Sequence, residues 1–167
     1  VKASLGGASA DGMWRGRVAV ASEHNNGFGT DITTGSRNGN KNTNAARATL
    51  GFFPTSTFNA KLSVDGLRDN SNPRGAKMLI RNKFDPSCAP LSSDFNTRSG
   101  MPQVNHTKLY GTALTLNWIV SENWTLKSIT AYRGSSTVTN IDFDTLPEKI
   151  ADVTGGYEYL ILEGFTR

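Results

Sequence analysis

The chain has 167 residues, 37% hydrophobic and 19% charged, with a formal net charge of +4 and a sequence pI near 9.4. That length is one ordinary domain, and a single cysteine, Cys88, excludes an internal disulfide framework or a cysteine-built metal site. Lys and Arg are scattered without a basic run or recognition motif, which argues against a nucleic-acid partner. No apolar run approaches the roughly 18 residues of a transmembrane helix, so only a β-barrel would cross a membrane.

Val1 to Leu5 reads as the tail of an earlier strand, followed by the turn-rich GGASADGM. This start lacks the apolar stretch of a signal peptide, so an exported protein would carry its leader upstream. In Trp14 to Glu23, Trp14, Gly16, Val18 and Val20 alternate with Arg15, Arg17, Ala19 and Ala21. That is the period of two of a strand, with one face suited to lipid and the other to water. His24 to Asn42 is dense in Gly, Asn, Thr and Ser and reads as a long polar loop.

Asn44 to Phe53 returns as a strand, a short turn covers Pro54 to Thr57, and Phe58 to Asp69 alternates most cleanly of all. Asn70 to His106 holds four of the six prolines and reads as the longest irregular region. Loops of that length are uncommon in compact soluble domains. Thr107 to Arg133 is the clearest unit, two alternating arms around the turn Val120 to Asn123. Each arm is near the roughly 9–11 residues of a tilted membrane-crossing strand. Gly134 to Ala151 reads as polar and irregular, and Gly156 to Glu163 as a last strand.

The pattern predicts an all-β antiparallel meander of about six long strands, part of a larger transmembrane β-barrel. Connections run long, short, long, short, long, and aromatic residues gather at the short ends. Outer-membrane barrels sort short turns and long loops to opposite sides in this way. Trp14, Phe52, Phe58, Trp118 and Trp124 are therefore the expected membrane-interface residues. Alternation alone also suits a soluble or secreted β-sandwich that binds ligands through its loops.

Little else points to chemistry. His24 and His106 fall in predicted loops and, with Cys88 or Asp85, lack the spacing of a metal site. Asp142 and Asp144 read as a solvated acidic loop. No nucleophile elbow, phosphate-binding loop or zinc-protease motif occurs, so neither an enzyme nor a cofactor is expected.

The stretch NWTLKSITAYR, Asn123 to Arg133, resembles the recurring W-x-L-x-S-I-T-x-Y-R barrel strand of TonB-dependent outer-membrane receptors, and NIDFDTLP, Asn140 to Pro147, follows it. GRVAVASEHNNGFGTD and DGLRDNSNP are similar to early-barrel hairpins of the same receptors. The resemblance covers roughly Trp14 to Thr154, while residues 157–167 depart from the family pattern. It implies a bacterial outer-membrane receptor with a barrel of about 22 strands, importing an iron-siderophore complex or a similar nutrient. Contact with TonB and the plug would lie N-terminal to these residues, making residues 1–167 a partial barrel. In such a receptor Arg37, Lys41, Arg74, Lys77 and Arg81 are loop candidates for steering an anionic chelate.

Overall fold

The computed structural model describes residues 1–83, 88–148 and 152–166, the last of these by backbone course alone. The described chain is all-β: β1 (Lys2–Ala8), β2 (Trp14–Asn25), β3 (Gly29–Thr30), β4 (Arg37–Asn38), β5 (Lys41–Phe52), β6 (Phe58–Asp69), β7 (Val104–Ser121), β8 (Trp124–Asp142) and β9 (Asp152–Thr166). Seven strands form one open antiparallel sheet in the order β1-β2-β5-β6-β7-β8-β9, and β3 and β4 form a separate small ribbon. The expected tail before Trp14 is the seventh strand.

Alternation sets the faces, because residues paired across antiparallel strands point to the same side. The row Val18↔Ala48↔Val64↔Thr112 and the row Gly16↔Leu50↔Leu62↔Leu114 lie on one side. Between them runs Arg17↔Thr49↔Ser63↔Ala113, and next beyond the Val18 row runs Arg47↔Asp65↔Gly111↔Arg133, both on the other side. From β2 to β7 the sheet therefore has one apolar and one polar face.

A conventional core is missing. Among the described residues, the one buried hydrophobic side chain is Cys88, whereas Val18, Leu50, Leu62, Val64 and Leu114 remain 39–53% exposed. An apolar band this wide costs free energy in water and marks a surface that meets something apolar.

Three strand connections are short and lie at one end: residues 9–13, 53–57 and 122–123. In the first, the Ser9 hydroxyl and the Met13 amide both donate to Asp11, and Phe53 N donates to Met13 O across to the neighbouring turn. The Ser9 bond first, then the Met13 bond, holds the Asp11 carboxyl below the usual carboxylate range. Longer connections, residues 26–40, 70–103 and 143–151, leave from the opposite end.

Strand lengths differ from the sequence reading in one direction. His24 and Asn25 belong to β2, Lys41 and Asn42 to β5, and His106 to β7, so both histidines lie on strands and not in loops. Gly134 to Asp142, read as irregular, continues β8 and pairs with β7 as far as Val104↔Asn140. The hairpin of β7 and β8 thus runs three rows past Asp69↔Thr107, where β6 ends. The last strand is longer than expected, Asp152 to Thr166, and pairs along β8.

Candidate binding site

The expected interface aromatics come together. Trp14 stacks on Phe52 with ring centroids 4.4 Å apart, Phe58 pairs directly with Trp118, and Trp124 follows the adjacent turn at 73% exposure. By strand parity these side chains share the apolar face and sit beside the short turns. Phe53 takes the polar face instead, where the Arg15 guanidinium lies 4.5 Å from its ring centroid. Gly51 leaves room for that ring, since a Cβ there would meet Phe53 Cε2 at 2.6 Å.

At the opposite end the long connections are not free polar loops. Asp31 is 2% exposed and Ser99 is fully buried. Asp31 Oδ1 accepts the Thr33 and Thr34 amides at 3.0 and 2.9 Å, an Asx turn read off DITTG. Its Oδ2 accepts the Ser99 hydroxyl at 2.6 Å and the Thr97 hydroxyl at 3.2 Å. Thr97 in turn accepts Asn38 Nδ2 at 2.7 Å, and Asp31 and Thr97 form a parallel bridge. The carboxylate and its hydroxyl partners thereby fasten the connection 26–40 to the connection 70–103.

Asp142, expected in a solvated acidic loop, is also only 2% exposed. It ends β8 and accepts the Gly100, Asp144 and Thr145 amides at 3.0, 3.0 and 2.7 Å. Burying a carboxylate is tolerable only with this kind of donor set. Asn140 Nδ2 adds a bond to Pro102 O at 3.2 Å. The extended end of β8 therefore holds the connection 70–103 from its other side.

The loop candidates divide on this framework. Arg74 and Lys77 line one cleft of about 180 Å³ with Phe28, Asn38, Asp94 and Phe95. Lys77 Nζ is already committed, donating to Ser93 O at 2.9 Å and to Asp94 at 3.3 Å. Arg74 is exposed, its stem beside Gly39. Arg37 is an exposed residue of β4 whose carbonyl accepts Asn72 Nδ2 at 3.0 Å. Lys41 opens β5 and pairs with Asp69 at 3.5 Å, so it is a strand residue and not a loop one. Arg81 is exposed and does not line the cleft.

Sequence reading missed Phe28 and Phe95, which are 70% and 57% exposed at the cleft. The signal for them was two isolated aromatics inside otherwise polar loops. Cys88, read as an incidental loop residue, is buried. Asp85, weighed with it as a ligand, lies outside the described residues.

Gly29 sits where the two connections touch, and a Cβ there would fall far inside contact distance of the Phe95 carbonyl. Gly29→Ala should therefore separate them at a cost of about 1–3 kcal/mol, the usual range for overpacking. Hydrogen exchange of the Ile32 and Thr97 amides, which donate to Thr97 O and Thr30 O across this contact, should accelerate. Unchanged exchange at both would show that the contact does not hold the loops.

The polar face carries its own ion pairs: Lys2 with Glu23 at 3.1 Å, Arg47 with Asp65 at 3.2 Å and Arg133 with Asp65 at 3.4 Å. Pairs with such exposed cations add little stability. Comparison with known proteins finds no match for the chain among family models, curated proteins or solved structures.

Proposed function

We propose that the chain forms a sector of a bacterial outer-membrane β-barrel receptor, of the TonB-dependent kind its strand motif resembles, which takes part in nutrient binding and uptake without catalysis. One observation carries this reading: a wide apolar face, ringed by aromatics at the end where every short turn lies, with the long connections leaving from the other end. Twelve-residue strands such as β2, β5 and β6 are about 40 Å long at roughly 3.3 Å per residue. At a tilt of ~45° they rise about 28 Å, comparable to the ~25 Å apolar band of such barrels.

In this reading lipid covers the apolar face, further strands extend the edges of β1 and β9, and the polar face lines the lumen. The cleft beside Arg74 and Phe95 lies on the outer surface and takes part of an iron chelate or similar solute. TonB engages a region N-terminal to these residues. A β-sandwich would instead need a facing sheet over Leu50, Leu62 and Leu114, and the described residues contain no such sheet.

Sidedness tests the proposal. In cells making the full-length protein with Cys88→Ser as background, Arg81→Cys should react with a membrane-impermeant maleimide from outside. Ser56→Cys, in an opposite short turn, should react only after the envelope is opened. Equal labelling of both in intact cells would rule the orientation out.

A further inference from the structure

On the polar face, two guanidinium groups converge on one carboxylate and a third lies nearby. Asp65 sits between Arg47 and Arg133 and pairs with both, while Arg17, two strands from Asp65, donates to Ser4 Oγ on β1 at 3.1 Å. These four charged residues, with Lys2, which is paired to Glu23, line a hollow of about 610 Å³. Ala19, Ala21 and Ala45, small side chains of β2 and β5, leave room between the charged ones.

The geometry is built in, not accidental to surface rotamers. Gly111 lies in register between Asp65 and Arg133, and a Cβ there would meet Arg133 Cγ at 3.2 Å and Cζ at 3.4 Å. The missing side chain is the passage through which Arg133 reaches across a whole strand to Asp65. The shared carboxylate is largely covered, at 20% side-chain exposure, whereas the Arg47 and Arg133 side chains are 61% and 57% exposed.

One carboxylate cannot neutralise the three guanidiniums that line the hollow, so it keeps a net positive charge. Guanidinium forks match carboxylate and phosphate oxygens in paired hydrogen bonds. Asp65 holds the Arg47 and Arg133 side chains in place and at the same time competes for their donors.

We propose that this hollow is a binding site for a small multivalent oxyanion, a solute bearing phosphate or carboxylate groups, held by Arg17, Arg47 and Arg133. The site is separate from the loop cleft, and it does not depend on what covers the apolar face. Its charge complementarity selects an anion, and its width across several strands selects one with more than a single charged group.

The test is calorimetric titration of the full chain, folded in neutral detergent, with tripolyphosphate and with citrate. At least one probe should bind saturably and more weakly as salt is raised. The double variant Arg47→Gln/Arg133→Gln should weaken binding by about tenfold or more, the loss expected for charge-assisted hydrogen bonds, and Arg47→Lys/Arg133→Lys should recover part of it. Asp65→Asn, which frees both guanidiniums, should strengthen binding, a gain that a purely structural ion-pair role would not produce. Absence of saturable binding by both probes, equal affinity in the Gln double variant, or weakened binding in Asp65→Asn with β-sheet circular dichroism intact would each overturn the proposal. Binding of polyglutamate in place of both small probes would assign the face to an acidic polypeptide and overturn it too.

Discussion

Leu62→Lys and Leu116→Lys should each cost about 2–4 kcal/mol of folding free energy in lipid, the range for a cation at the midplane of a barrel wall. Leu62 pairs with Leu50 on one side and Leu114 on the other, and Leu116 faces Ala60 on the same face one row nearer the turns. A lysine there puts an ammonium on the apolar face with no acidic neighbour in register. The neighbouring Ser63→Lys, opposite Thr49 and Ala113, points to the polar face and should stay within about 0.5 kcal/mol of the unaltered protein, as surface changes do. Urea titration of the complete protein folded into phosphatidylcholine vesicles, followed by tryptophan fluorescence, measures all three. Equal costs on the two faces would refute the proposal that lipid covers the apolar one.

Asp31→Ala should release the loop framework and leave the sheet intact. The change removes the acceptor for the Ser99 and Thr97 hydroxyls and for the Thr33 and Thr34 amides. Each buried group left without a partner costs about 1–3 kcal/mol, so the local loss should reach about 3 kcal/mol even after some donors find water. Asp31→Asn keeps part of the acceptor set and should lose less. Hydrogen exchange distinguishes the regions: amides of Thr33, Thr34 and Thr97 should lose protection while those of β5 and β6 do not. Loss spread evenly over the sheet would instead mean that loops and wall fold as one unit.

The sheet was legible wherever an apolar and a polar face alternate. Phe58 to Asp69 announces its strand because Phe58, Ala60, Leu62 and Val64 recur every second residue, and it forms β6 with those bounds. The same rule fails for GSSTVTNID, Gly134 to Asp142, where both faces of the strand meet polar surroundings and no period of two remains to read. Its Ser, Thr and Asn content argues for a turn, yet pairing with β7 holds it extended. Tertiary context overrode local preference there.

The binding region was legible only in outline. Arg74 and Lys77 stand out as loop cations, but nothing local shows that Asp94 occupies the lysine or that Phe28 and Phe95 flank the cleft. The turn at Asp31 could be read from its own neighbours. Its partnership with Ser99, 68 positions away, depends on how two connections meet in space and leaves no trace in spacing. The same holds for Asp142, where charge pattern suggested water and the Gly100 amide supplies the partner.

The extra three paired rows of β7 and β8 beyond the end of β6 make the wall uneven, by about 10 Å at roughly 3.3 Å per row. In a closed receptor this stretch would stand above the end of β6, and on the other side β2 and β5 also pair two rows past that level, His24↔Asn42 and Asn25↔Lys41, so β6 is a notch in the rim. A bulky solute would then find the shortest step inward at that notch, flanked by taller strand pairs on both sides.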